Sequence, residues 1–311
     1  MKYRTLGKTG WEVSAVSMGC WGIGGQWGPV AERDAMAAIS TARDCGVNLF
    51  DTADAYGMGQ SEERVGKALG KRPDNVYLAT KVGNWGRRFG DELPFKTVHS
   101  ITESCHASLY RLKTDTIDLY QCHIGKPEHP EVFLEAFESL KAQGKIREYA
   151  ISTNDLDSLK ALNANGACAS CQINYSILSR GAEKELFPYC LENAIGVLLR
   201  GPLSMGILTG KFSNDTVFED QVRQKWNEGD GRTRFLHQVA IADKLKQLVT
   251  PERSLLDIAL QFTLAQPAVT CPIPGMKNAD QARANCAAAD GELSEEDLAF
   301  IDSVNPPGVD Q

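Results

Sequence analysis

Short apolar or β-branched runs alternate along the whole chain with longer stretches in which apolar residues return every three or four positions. The short runs, at 13–18, 47–50, 76–80, 117–121, 149–152, 170–174, 197–199 and 269–272, predict strands. The longer stretches predict helices over 31–45, 61–70, 97–112, 130–143, 155–164, 182–194, 254–265 and 278–289. Strands that are apolar on both faces belong to a parallel sheet covered on both sides. Eight strand–helix units with no linker between them close most naturally into an α/β (β/α)8 barrel, a TIM barrel, expected to be a single domain over residues 1–311. A polar stretch at 3–12 predicts an N-terminal β-hairpin, and two extra helices are expected near 234–248 and 294–304.

A doubly wound sheet is the competing arrangement, and it would carry G-x-G-x-x-G after its first strand. The glycines there are Gly22, Gly24, Gly25 and Gly28, and Trp27 stands where the last glycine of the motif should fall. Any dinucleotide in this region is therefore held in another way.

Composition narrows the partners. The 311 residues carry 33 Lys+Arg against 40 Asp+Glu, a net charge of −7, with 42% hydrophobic and 23% charged residues. That balance excludes a disordered chain and argues against nucleic acid, whose phosphates call for clustered cations. No apolar run approaches the ~18 residues of a membrane span. The opening Met1-Lys2-Tyr3-Arg4-Thr5 lacks the apolar core of a signal peptide. Nine scattered cysteines, an odd number, fit reduced thiols and a cytoplasmic location. Cys168 and Cys171 form one C-x-x-C, but no second pair or nearby histidine completes a metal site, and none is expected.

In a barrel, chemistry gathers at the carboxyl ends of the strands. The second predicted strand runs into Asp51 and, beyond it, Tyr56; the third ends at Lys81 and the fourth at His123. Each has a plain structural explanation alone, as a turn cap, a rim charge or a core histidine. Together they suggest a mechanism. Tyrosine, with a pKa of ~10, donates protons poorly near neutrality, and a neighbouring cation lowers that value. Lys81 can be the cation, held charged by Asp51, so that Tyr56 becomes a general acid–base and His123 orients a carbonyl oxygen.

These residues sit in motifs that resemble the aldo-keto reductase superfamily. The resemblance rests on Gly46-Val-Asn-Leu-Phe-Asp-Thr-Ala-Asp-Ala-Tyr-Gly57 followed by Ser61-Glu-Glu-Arg-Val-Gly, Ala79-Thr-Lys-Val82, Asp118-Leu-Tyr-Gln-Cys-His123, Lys145-Ile-Arg147 and Cys171-Gln-Ile-Asn-Tyr175. Pro202-Leu203, Gly206-Ile-Leu-Thr-Gly-Lys211 and Ile273-Pro-Gly275 with Asn285 extend it over roughly residues 3–304. The resemblance implies a (β/α)8 barrel that reduces carbonyls by hydride transfer from NADPH, with NADH as the open alternative. It implies Asp51, Tyr56, Lys81 and His123 as the catalytic tetrad, Tyr56 being the proton donor. It implies Ser152 and Gln172 at the nicotinamide carboxamide, the loop Gly201, Pro202, Leu203 to Gly206 with Lys211 over the pyrophosphate, and Gly275, Lys277, Gln281 and Asn285 at the adenosine end.

Three positions depart from the family pattern. The usual Ser-Asn reads Ser152-Thr153-Asn154, which makes Asn154 a second candidate for the carboxamide. Where many members stack a tyrosine on the nicotinamide stands Arg200, whose charge is unfavourable beside the oxidised ring. The Lys-Ser pair used on the 2′-phosphate reads Gly275-Met276, leaving Lys277 to discriminate NADPH from NADH. Trp21 and Trp85 are expected in the substrate pocket, with Trp27 and Phe89 as further candidates, and Arg87 and Arg88 at the rim.

The expected partner is a small-molecule carbonyl, with no nucleic acid and no membrane, for a monomer or homo-oligomer. A non-catalytic nicotinamide-nucleotide-binding regulatory subunit and a Schiff-base aldolase using Lys81 are the alternatives. The seven residues after a final helix ending near 304 span ~25 Å at most, too short for a lid over the barrel mouth.

Overall fold

The computed structural model describes residues 1–70, 72–86 and 95–311. Its centre is an eight-stranded parallel sheet. The strands run in sequence order: β3 (Met18–Gly19), β4 (Leu49–Asp51), β5 (Tyr77–Val82), β6 (Ile117–Cys122), β7 (Ile146–Ser152), β8 (Ser170–Asn174), β9 (Gly196–Arg200) and β10 (Cys271–Pro272). Hydrogen bonds from Ser17 N to the Pro272 carbonyl and from Gly19 N to the Pro274 carbonyl, both 3.0 Å, join the last strand to the first. A parallel bridge between Gly19 and Gly275 completes the closure, so the sheet is a (β/α)8 barrel.

Outside it lie α1 (Glu32–Asp44), α2 (Gln60–Leu69), α3 (Val98–Leu112), α4 (Pro130–Ala142), α5 (Leu156–Leu162), α6 (Leu186–Glu192), α8 (Leu255–Ala265) and α9 (Ala279–Ala287), while α7 (Gly229–Leu245) and α10 (Glu295–Val304) are the two extra helices. Side chains cap the starts of α3, α5, α8, α9 and α10. Ser254 and Ser294 form capping boxes with Asp257 and Asp297, and Asn278 caps α9 through the Gln281 amide.

Two predicted strands shift. The run 13–18 divides: β2 (Glu12–Ser14) pairs antiparallel with β1 (Tyr3–Thr5), and only Met18 and Gly19 join the barrel. Serines make the break, for the Ser17 hydroxyl turns back on the Ser14 carbonyl, and Ser14 N is bound to the Asn48 side chain. At the other end, 269–272 contracts to two residues, one of them Pro272, which has no N–H for the ladder. The predicted helix 182–194 is also shorter, starting only at Leu186 after a 3-10 turn over Gly181–Glu183.

Alternation along the strands sorts side chains into two cores. Phe50, Leu78, Tyr120, Ile151, Ile173 and Leu199 face the helices. Leu49, Ala79, Leu119, Ala150, Leu198 and Cys271 fill the barrel interior. The hairpin closes the amino-terminal end, with Leu6, Trp11 and Val13 joining the inner core and Trp11 stacked on Tyr77 at 4.8 Å. Two residues further along the strands the inward positions turn polar: Asp51, Lys81, Gln121, Ser152 and Gln172. That change of character marks the site.

Candidate functional site

Register brings the first group together. Asp51 is opposite Ala79, and Lys81 is opposite Gln121, so the Asp51 and Lys81 side chains meet inside the barrel mouth. Lys81 is fully buried, and its Nζ donates to Asp51 Oδ1 at 2.5 Å, to the Thr52 carbonyl at 2.7 Å and to Tyr56 Oη at 3.2 Å. Three acceptors satisfy an ammonium completely. Asp51 is equally occupied, its other oxygen accepting from Gln121 Nε2 at 2.8 Å and Gln172 Nε2 at 2.9 Å. Burial alone would lower the Lys81 pKa, but Asp51 and Tyr56 reverse this, and the net direction is upward. A lysine that holds its proton this firmly is a poor Schiff-base nucleophile.

Tyr56 lies beyond β4 in a tight loop that ends at α2. The loop packs against the one after β3 so closely that a side chain at Gly57 (φ 62°) would run into the Gly24 carbonyl. The phenol is flanked by Trp21, stacked at 5.9 Å, and by His123, edge-on at 5.7 Å. The expected lowering of its pKa by Lys81 is present but outweighed. Burial raises the phenol most, Lys81 opposes it, Asp51 adds to the rise, and the net direction is upward. Tyr56 is thus held protonated near neutrality, the state from which a proton can be given.

These residues wall one end of a cavity of about 810 Å³. Ser152, Gln172, Asn174 and Arg200 form the wall near Tyr56 and His123. Asn154 does not line it: its side chain binds the backbone of Asn174 and accepts from Arg200 Nη2 at 2.9 Å. Gly201, Pro202, Leu203, Gly206 and Lys211 run along one side. Within that loop Ser204 and Met205 hold positive φ (45° and 54°), strain of the kind that collects at ligand-holding segments.

Gly275, Lys277, Gln281 and Asn285 close the far end. Lys277 Nζ reaches back to the Trp27 carbonyl at 2.8 Å, its backbone N–H donates to Gln281, and Asn285 donates to the Gly275 carbonyl. Burial lowers the Lys277 and Lys211 ammonium pKa values, and the nearby Arg223 guanidinium lowers both further. The three cations therefore share one space.

Trp21 and Trp27 line the cavity and meet edge to face at 4.7 Å. Trp85 does not line it; the Arg111 guanidinium covers its ring at 5.2 Å, and it packs on the outer core. Phe89, Arg87 and Arg88 lie outside the described residues.

Sequence reading missed two residues. Gln121 sits two strands from Asp51, on β6, and binds it, but an uncharged amide at a strand end gave no chemical signal. Arg223 lies in an irregular segment, paired with Asp220 at 2.7 Å, and its guanidinium rests 5.3 Å from the Trp27 ring across the cavity. Its nearness in sequence to the segment 201–211 that lines the cavity was the only available sign.

The chain matches the model of the aldo/keto reductase family over residues 15–306. It is 33% identical over 312 residues to the aldo-keto reductase YhdN of Bacillus subtilis (strain 168), covering 98% of this chain and 93% of that protein. It is also 33% identical to the NADH-specific methylglyoxal reductase of Escherichia coli (strain K12), covering 97% of each. Among solved structures it is similar to the holo form of aldo-keto reductase AKR11C1 from Bacillus halodurans, with a TM-score of 0.82 and 31% identity over 100% of this chain and 98% of that one. An aldo-keto reductase from Klebsiella pneumoniae in complex with NADPH gives a TM-score of 0.77 and 27% identity over 99% and 96%. Motif, geometry and likeness agree: the chain belongs to the aldo/keto reductase family and is, with it, an oxidoreductase.

Proposed function

We propose that the protein reduces aldehydes and ketones, sugar aldehydes among them, to alcohols, with bound NADPH supplying the hydride and Tyr56 the proton. The observation that carries this reading is the Lys81 ammonium bound at once to Asp51, the Thr52 carbonyl and Tyr56 at the wall of a deep cavity. As the carbonyl carbon is reduced, negative charge develops on its oxygen, and the Tyr56 phenol gives its proton to that oxygen. Lys81 stabilises the phenolate left behind, and Asp51, fixed by Gln121 and Gln172, keeps Lys81 in place. His123, edge-on to Tyr56, orients the same carbonyl oxygen, an arrangement that stabilises charge where it forms.

The rest of the cavity suits a dinucleotide. Ser152, Gln172 and Arg200 face the nicotinamide end. Lys211, Arg223 and Lys277 supply positive charge where phosphates would lie, next to the start of α9, a helix terminus whose free N–H groups favour anions. Two structural relatives are described with NADPH or NADP, whereas one curated relative is named NADH-specific; Lys277 beside Arg223 supports NADPH first and NADH second. No described helix is long and apolar enough to cross a membrane. All nine cysteines are free thiols, which supports a cytoplasmic setting for a single-domain enzyme acting on small molecules. A panel of aldehydes, ketones and sugars, followed by NADPH absorbance, tests the reading. Turnover of none of them by a folded protein that binds NADPH would overturn it.

A further inference from the structure

Arg200 ends β9 at the carbonyl end of the cavity, close enough to Tyr56 for its charge to act on the phenol. Its Nη2 donates to Asn154 Oδ1, an uncharged amide. No carboxylate of the described residues forms an ion pair with it. The other cations in and behind the cavity wall differ. Lys81 is neutralised by Asp51, Arg223 is paired with Asp220, and Lys211 and Lys277 belong to the far end. Arginine stays protonated at any ordinary pH, so an uncompensated positive charge stands at this wall.

The chemistry fixes what lies against that wall. On the carbonyl-reductase reading, on which this inference rests, the hydride-donating ring must come within ~3–3.5 Å of a carbonyl carbon whose oxygen is bound by Tyr56. A ring so placed would lie between Tyr56 and Ser152, Gln172 and Arg200, all of which line the cavity. The two redox forms of the nucleotide make the same contacts through adenine, sugars and phosphates, so these cancel in the ratio of their affinities. What remains is the ring, neutral when reduced and positive when oxidised.

We propose that Arg200 makes the site discriminate between the two redox forms of its nucleotide, holding the reduced form and repelling the oxidised one. Like charges a few ångströms apart at the edge of a protein interior repel strongly enough to change a binding ratio tenfold or more. The benefit is product release: after turnover the oxidised nucleotide carries a positive ring beside an unneutralised guanidinium and leaves sooner. Arg200 is then a specificity residue for redox state, and Asn154, which accepts from Nη2, is the residue that positions it.

Titration calorimetry of the full chain with NADPH and with NADP+, at fixed ionic strength, tests the proposal. In Arg200→Gln, NADP+ should bind about tenfold more tightly relative to NADPH than it does in the wild type, a shift of ~30 mV in the potential of the bound two-electron couple. Arg200→Met, equally uncharged, should repeat this and stands in if the glutamine variant folds poorly. Arg200→Lys, which keeps the charge, should retain the wild-type ratio. If both affinities move together in the neutral variants, or the ratio stays within twofold, the guanidinium acts through shape alone and the proposal is wrong. If the lysine variant behaves like the neutral ones, charge is not the cause and the proposal equally fails. Binding of neither nucleotide by the wild type would overturn the carbonyl-reductase reading itself, and is distinguishable from all of these.

Discussion

The two ends of the cavity are built on different principles. At the end proposed for the carbonyl the central polar groups are buried on barrel strands and already bound to one another: Lys81 to three acceptors, Asp51 to three donors. At the end proposed for the phosphates the cations ride on loops. Lys211 and Arg223 belong to an irregular stretch between β9 and α7, and Lys277 precedes α9. They crowd one another instead of pairing, Arg223 excepted. The first arrangement tolerates no displacement, because a buried charge without its partner is unstable. On the proposed reading the second is completed by the anionic phosphates of a nucleotide. Chemistry that must be aimed would then sit on the barrel strands, and attraction that need only be present on the loops.

Substitutions at the two ends should therefore fail differently. The largest effect is expected from Tyr56→Phe, which removes the proposed proton donor and leaves the packing. Steady-state rates should fall by about 10²–10⁴-fold or more, with NADPH affinity within about threefold of wild type by fluorescence titration. Near wild-type turnover would remove Tyr56 from the chemistry.

Lys81→Met should damage both function and fold. It leaves Asp51 buried without its cation, a loss of ~3–5 kcal/mol that urea denaturation can measure, together with loss of turnover. The matching change at the other end, Lys277→Met, should cost only about 1 kcal/mol, the worth of its hydrogen bond to the Trp27 carbonyl. Equal destabilisation by both would erase the distinction between the two ends.

How much of this was legible in the sequence follows from the same contrast. A polar residue that ends an apolar barrel strand has little choice of direction, so Asp51, Lys81 and His123 could be placed at one mouth from strand ends alone. The barrel itself was legible because eight apolar runs separated by helical patterns admit few other closures. Tyr56, just beyond one of those strand ends, was reached with Asp51, Lys81 and His123; the resemblance added what position could not, the assignment of the cofactor-facing residues. What escaped depends on contacts between distant loops. Arg223 meets Trp27 only after the barrel has closed, and nothing in the spacing of either residue announces the other. Trp85 reads as a mouth aromatic until Arg111, on α3, is seen to cover it. The break of the first predicted strand turns on the Ser17 hydroxyl bonding to the Ser14 carbonyl and on the Asn48 side chain taking the Ser14 N–H, competition for the backbone that hydrophobic pattern does not register.

At the phosphate end, Lys277→Ala should weaken NADPH by ~1.5–3 kcal/mol and leave NADH little changed, if its ammonium leaves the Trp27 carbonyl for the 2′-phosphate. Calorimetry with both nucleotides decides this, and equal weakening of the two would put the lysine on the shared pyrophosphate instead.

The burial that serves Tyr56 has a side effect two residues earlier. Burial, and after it the neighbouring Glu62, push the Asp54 carboxyl up to about 8, against opposing influence from the Ala55 N–H, Arg111 and Lys81. Unfolded, the same carboxyl titrates near ~4. Between those values the folded state binds the extra proton, so its contribution to stability is complete below ~4 and is lost as pH rises through about 8. Asp54→Asn should flatten that loss and raise Tm at pH 8 by about 2–4 °C, with little change near pH 4. An unchanged slope of Tm with pH would show that Asp54 ionises freely in the fold.

The smallest effect on activity is expected from the carboxyl-terminal residues. They run past the barrel without lining the cavity, held to the segment after β8: Asn305 Nδ2 donates to the Ile177 carbonyl at 2.6 Å, Gln311 N to the Leu178 carbonyl at 3.0 Å, and Gly181 N to Asp310 Oδ1 at 2.8 Å. Gln238 on α7 donates to the Gln311 carbonyl at 2.9 Å, so the tail ties two parts of the shell together. One thread leads from there to the site. Ser176 Oγ is 2.8 Å from Ser204 Oγ, in the strained loop along the cavity. If that thread is passive, removing residues 306–311 should lower Tm by a few degrees and change kcat/KM less than tenfold, ~1.4 kcal/mol. A larger loss in a protein that remains folded would mean that the tail's grip on residues 176–183 reaches the cavity through Ser176. Ser204→Ala should then reproduce it, because the substitution cuts the same thread one bond from the loop.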